Sequence, residues 1–200
     1  MKKLLSVILV LVLALSFSSV ALGEYNMFTY QHPVLGYTMQ APADWLYLDS
    51  QNIATLVTDP SVSKNFPYVD ISTYAQQCID NEMAMFIMPS GVNFNVVSES
   101  VGAPYSAAQL NALLIPNLLS QYKQIFGSVD FLVDGDVFKA GNHEYAYIMY
   151  VTGDTIGAQY CLCESGRLYY LTLTTTSALN TLEYIQIEKM FEKVLASFAE

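Results

Sequence analysis

The sequence predicts an α+β fold, an antiparallel β-sheet sandwiched by α-helices. Three observations point to it: four strand-like runs packed into 129–175 with short breaks between them, a long capped helical pattern over 106–127, and a second over 180–198. The breaks are Gly141-Asn142, Gly153-Asp154 and Ser165-Gly166, and turns that short join antiparallel neighbours, since parallel strands need long crossovers. Each helix carries one apolar stripe that must be covered, and a sheet face covers it.

Residues 1 to 23 read as a cleavable secretory signal peptide. Met1-Lys2-Lys3 gives a basic start, and Leu4 to Leu15 is apolar except for Ser6. Ala21-Leu22-Gly23 then places small residues three and one before a cut ahead of Glu24. The apolar run is shorter than the roughly 20 residues a membrane span requires, and no cysteine near the cut could carry a lipid anchor. The expected product is secreted, without a membrane span after cleavage near Gly23-Glu24.

The remaining 177 residues, 24–200, suit one domain with its own core, and no repeat, linker or low-complexity tract divides them. Loss of Lys2 and Lys3 leaves six basic against 18 acidic side chains, a formal charge of −12. That balance disfavours nucleic acid and anionic membrane, which demand a basic surface. Three cysteines, Cys78, Cys161 and Cys163, are too few for a disulfide framework, so packing must hold the domain. Cys161 and Cys163 lie two apart on a strand with parallel Cβ vectors, poor geometry for bonding each other. Cys78 pairing with either of them and free buried thiols are both open.

Along the domain, Phe28 and Tyr30, then Leu35, Tyr37 and Met39, alternate on either side of Pro33-Val34-Leu35-Gly36, which predicts a hairpin. Pro42 stops the second strand, and Trp45 reads as a core anchor. Ile53 to Thr58 reads as a short strand ended by Asp59-Pro60. Ser61 to Asn65 reads as a loop and Tyr68 to Tyr74 as a strand. Asn81 to Met88 fits a partly buried helix or an irregular loop, and Asn93 to Ser98 is a strand. Ser106 and Gln109 form a capping box, opening a helix with Leu110, Leu114, Leu118, Tyr122 and Ile125 on one face. Pro116 inside that pattern predicts a kink or a two-part helix, and Gly127 its end. Four strands follow: Val129 to Phe138, Glu144 to Val151, Gln159 to Glu164, and Leu168 to Thr175. Asn180 and Glu183 cap the last helix, whose Tyr184, Ile187, Phe191, Val194 and Phe198 form its apolar face.

No constellation reaches a catalytic or metal signature, and the expectation is no catalytic, cofactor-binding or metal-ligating residue. The sharpest metal candidate is His143 gathered with Cys161 and Cys163 from neighbouring strands. Asp130, Asp134 and Asp136 lack a calcium loop, and Asp134-Gly135-Asp136 reads as a turn or bulge. Glu99, Asp70 and Glu144 are carboxylates that a glycosidase could pair only if the fold brought them together. His32 lies beside a turn with no ligand partner near it. There is no nucleophile elbow and no phosphate loop. Of 15 tyrosines, Tyr145 and Tyr147 share one strand face and Tyr150 the other, a choice that serves core packing or, if exposed, recognition.

Two segments carry a family resemblance. Gly36-Tyr37-Thr38-Met39-Gln40-Ala41-Pro42-Ala43-Asp44-Trp45 resembles the opening of the PsbP-like superfamily, and Gly166 to Thr172 together with Phe191 to Phe198, ending in Ser197-Phe198, resembles its closing strand and helix. The layout covers essentially the whole mature chain; Pro116 and the Met83 to Met88 segment depart from the pattern. The resemblance implies an antiparallel sheet between helices, in an α/β/α arrangement used as a binding or assembly module, with no catalytic residues attached. Secreted bacterial members are exported proteins without an assigned function.

The expected function is therefore a secreted, non-catalytic module binding a protein or cell-envelope partner through its sheet face or loops. Such a module predicts no deep polar cleft. A hydrolase of wall or host polymers would gather two carboxylates or a histidine pair in one. A small-ligand carrier would enclose an apolar cavity beneath the kinked helix.

Overall fold

The computed structural model describes residues 25–67 and 69–200. The expected signal peptide, the junction expected at Gly23-Glu24, and Tyr68 lie outside the described residues. The hairpin predicted from the first alternation is strand β1 (Met27–Gln31) paired antiparallel with β2 (Thr38–Pro42), Tyr30 opposite Met39. It forms a two-stranded sheet of its own. The main sheet has seven antiparallel strands in the order β3 (Leu46–Leu48), β4 (Ala84–Ile87), β5 (Asn93–Ser100), β9 (Arg167–Thr176), β8 (Thr155–Glu164), β7 (His143–Thr152) and β6 (Asp130–Ala140). Strands β6 to β9 are the predicted meander. β9 then pairs with β5 from the first half of the chain, Asn95 opposite Thr172.

Period-two alternation divides this sheet into two apolar faces. Tyr145, Leu162, Tyr169, Leu171, Leu173, Phe94 and Phe86 face the β1–β2 hairpin and helix α6 (Thr181–Ser197). The opposite face carries two separate clusters. Met83, Met85 and Ile87 pack under the short helices α1 (Ile53–Leu56), α2 (Pro60–Asn65) and α3 (Ser72–Asp80). Ala146, Ile148, Cys161 and Leu168 pack under α4 (Ala107–Leu113) and α5 (Ile115–Phe126). The architecture is helix, sheet, helix, as the sequence implied.

Both capping boxes form: Ser106 Oγ accepts from Gln109 N at 3.3 Å, and Asn180 Oδ1 accepts from Leu182 and Glu183 N at 3.0 Å each. Pro116 divides the long helix into α4 and α5, standing in the first turn of α5 where its missing N–H costs nothing. Gly127, at φ +68°, closes it.

Residues 53–74 differ from the sequence expectation. All three segments read as strand or loop are helices or their entries, and aspartate side chains explain each. Asp49 Oδ1 accepts from Gln51 and Asn52 N, folding the chain back before α1. Asp59 accepts from Ser61 N and Pro60 opens α2, so Asp59-Pro60 starts an element instead of ending one. Asp70 Oδ1 accepts from Ser72 N ahead of α3. In the other direction, Ala84–Ile87, read as helix or loop, is a strand buried on both faces, which erases the alternation that marks a half-exposed strand.

The two segments that carry the resemblance meet in space. Phe198 stacks on Tyr37 at 5.2 Å and meets Tyr169 edge-on at 4.9 Å. Ser197 Oγ accepts from Gln40 N at 2.8 Å, and Thr38 and Ala199 exchange two backbone hydrogen bonds. Truncating Phe198, which is 1% exposed, to alanine leaves a cavity against both rings. Phe198→Ala is expected to lower the unfolding free energy by about 3–5 kcal/mol, read from urea denaturation.

His32, also 1% exposed, locks the hairpin turn. Its Nδ1 accepts from Val34 N at 3.2 Å and Leu35 N at 3.0 Å, while Nε2 donates to Glu82 O at 2.9 Å. This arrangement requires the neutral ring, and burial lowers the His32 pKa below the ordinary histidine value. The unfolded chain then binds the proton more readily than the folded one, so this stability is present above about pH 6.5 and is lost as pH falls through the folded value. The urea midpoint should fall between pH 7.5 and 5.5, and fall less in His32→Asn.

Candidate functional site

The two helix groups on one face leave a gap between them, and the sheet under that gap is polar. Asn95 on β5 pairs with Thr172 on β9, which pairs with Gln159 on β8, so three polar side chains form one row across the middle of the sheet. Val97 and Tyr170 make the next row, and Glu99 follows on β5. Helix α5 supplies one wall through Asn117, Leu118, Gln121 and Tyr122, and Asn81, after α3, stands at the other side. The result is an open groove of about 840 Å³.

Hydrogen bonds set the side chains of this groove. Tyr122 Oη donates to Gln159 Oε1 at 2.7 Å, tying α5 to the sheet floor and fixing the orientation of the Gln159 amide. Tyr170 Oη donates to Glu99 Oε1. Burial first, and the Glu99 carboxylate second, hold the Tyr170 hydroxyl well above the ordinary tyrosine pKa. Burial, helped by Tyr150, does the same for Tyr122. Both hydroxyls stay protonated and serve as donors. The lining is thus a set of amides and hydroxyls around a single carboxylate that already has a partner.

The candidates from sequence fall in different places. His143 shares the face of Tyr145, whereas Cys161 and Cys163 belong to the opposite one, so the three do not converge. His143 Nδ1 instead lies 3.1 Å from Glu164 Oε1. Among the described residues no group of three or more His, Cys, Asp or Glu is placed to hold a metal ion. Asp134 and Asp136 flank Gly135 at a register shift in β6, the bulge the sequence indicated. Gly135 has φ +130°, and a Cβ there would stand 2.6 Å from Asn111 Oδ1. Asp70 caps α3. Glu99 and Glu144 occupy one cross-strand row with Leu168 and Cys163 between them, three strand spacings or about 14 Å apart, beyond the reach of a glycosidase pair. Tyr145 and Tyr147 do share a face: Tyr145 is buried with Oη donating to Leu195 O at 2.7 Å, and Tyr147 is half-buried. Tyr150, on the other face, lies over Gly157, where a Cβ would approach its ring to 2.2 Å. Trp45 is the core anchor expected, tilted against Phe94 at 5.7 Å.

Sequence reasoning named Glu99 but missed Asn95, Gln159, Thr172 and the groove they build. The polar half of the Asn93-Phe94-Asn95-Val96 alternation was visible, but such a pattern reads as a solvent face. Nothing in it marks residues that two helices will flank.

All three thiols are free. Burial pushes Cys78 up to about 11 and Cys161 up to about 12, while Cys163 is partly exposed and donates to Ala103 O at 3.5 Å. Brief iodoacetamide treatment at pH 8 should label Cys163 first in the native chain. Cys78 and Cys161 should react at a comparable rate only after denaturation, as peptide mass spectrometry would show.

No family model matches the sequence, and no curated protein does. Among solved structures, the solution structure of cyanobacterial PsbP (CyanoP) from Synechocystis sp. PCC 6803 aligns with a TM-score of 0.54 at 13% identity, covering 91% of this chain and 96% of that one. A crystal structure from Bacteroides thetaiotaomicron aligns with a TM-score of 0.43 at 12% identity, over 88% of this chain and 48% of that one, and carries no argument. The fold is PsbP-like, and at these identities the likeness concerns the fold alone.

Proposed function

We propose that this PsbP-like fold serves as a secreted, non-catalytic binding module for a protein or cell-envelope component, and that the sheet-face groove between the two helix groups is its binding surface. The observation that carries the proposal is the polar row Asn95, Thr172 and Gln159, on the sheet face at the gap between the two helix groups. Amides and protonated hydroxyls match the donors and acceptors of an extended backbone or a glycan. They bind neutral polar chains without a charge requirement. Export rests on the N-terminal pattern of Lys2 to Gly23. Among the described residues, no helix is long and apolar enough to cross a membrane.

The competing readings find less support here. A hydrolase needs paired carboxylates or histidines within hydrogen-bonding reach of one substrate, and the groove holds Glu99 alone, engaged by Tyr170. A carrier needs an enclosed apolar cavity, whereas the space beneath the kinked helix is open and lined largely by amides and hydroxyls.

The test is affinity capture from culture fluid and cell envelope with the tagged chain, run beside a groove variant, Asn117→Ala/Gln121→Ala, whose changes sit on the outer wall. A component retained by the parent chain and lost by the variant supports the proposal. Equal retention by both, or none above a charge-matched control, removes the groove from consideration.

A further inference from the structure

The face of the sheet that packs against α6 holds a second cavity, about 370 Å³, between that helix and strands β6 to β8. Its sheet side is aromatic. Tyr147 and Tyr160 are cross-strand partners whose rings lie 5.4 Å apart and within 9° of parallel. Phe138, from β6, meets them edge to face at 5.8 and 5.3 Å. Its helix side presents Tyr184, Glu188 and Glu192, spaced four residues apart and so aligned along one side of α6.

Glu188 and Glu192 are exposed, so this stripe forms the solvent edge of the cavity. The adjoining stripe of the same helix, Ile187, Phe191 and Val194, shows what packing alone selects. At the cavity, partial desolvation raises the Glu188 carboxyl pKa, the nearby Tyr184 hydroxyl offsets part of that rise, and Glu192 adds to it. Two carboxylates therefore stand over aromatic rings, with Lys189 as the one cationic side chain lining the space. A positively charged ligand would meet an attractive edge there.

We propose that this cavity binds a small quaternary ammonium cation, a trimethylammonium group seated on the Tyr147, Tyr160 and Phe138 rings and neutralising Glu188 and Glu192. A methyl-coated cation is weakly hydrated and enters an aromatic site at low desolvation cost. There it gains cation–π attraction from the rings and Coulomb attraction from the carboxylates. A neutral apolar ligand would desolvate the two carboxylates without neutralising them, and an anion would be repelled by them. A bare metal ion would meet ring carbon where it needs oxygen donors.

The probe is choline chloride, titrated calorimetrically into the full chain at low ionic strength, beside its neutral isostere in which carbon replaces the nitrogen. Saturable choline binding with the isostere roughly tenfold weaker supports the site, since the isostere keeps the apolar contact with the rings and loses both the cation–π and the Coulomb attraction. Glu188→Gln and Glu192→Gln are surface changes expected to fold normally, and each should weaken choline several-fold while leaving the isostere unaffected. Absence of saturable binding, equal affinity for the isostere, or unchanged choline affinity in both glutamine variants overturns it. Phosphatidylcholine vesicles that sediment the chain and release it to free choline support a lipid head group as the source. Choline binding without sedimentation supports a free cation.

Discussion

The contact of Phe198 with Tyr37 and Tyr169 is the constraint on which the rest of the structure hangs. It joins the end of the last helix to the first hairpin and to the central strand β9, residues far apart in sequence. Because Ser197 and Ala199 also bond the backbone of β2, the end of α6 has only one position relative to the sheet. A helix fixed at that end must cross β6 to β8 at a set height. The aromatic core beneath it and the cavity left beside Glu188 follow from that placement.

The sheet's alternation then governs what can meet what. Side chains on neighbouring positions of a strand point to opposite faces, so His143 and Cys161 are separated by the sheet although their strands are adjacent. The same rule gathers Asn95, Thr172 and Gln159, which are scattered through the sequence, into one row. It also gives the two faces different chemistry. One face offers amides and hydroxyls between two helix groups; the other offers rings, with carboxylates at their edge, beside a single helix.

Legibility in the sequence followed the range of the interactions concerned. The capping boxes of Ser106 and Asn180, the break at Pro116, the stop at Gly127 and the turns of the meander were all readable, because each is decided by residues within four positions of one another. The segment 53–74 was misread for a related reason. Asp59-Pro60 was read as the end of a strand, when Asp59 satisfies a free N–H group at the entry of a helix; an aspartate signals a turn and a helix start with the same bond. Strand β4 was unreadable as a strand because burial on both sides removed its polar alternation.

The sequence by itself determined the α+β class, the order of the long elements and the apolar faces that had to be covered, since local bonding and hydrophobic period dictate these. It also determined that the histidines, cysteines and aspartates form no motif at ordered spacing. Only the tertiary structure decided that β5 pairs with β9, that a gap between the two helix groups is left on one sheet face, and that Tyr184, Glu188 and Glu192 edge the cavity at Tyr147 and Tyr160. Those outcomes depend on which distant surfaces bury each other best, a competition across the whole chain that no window of neighbouring residues records.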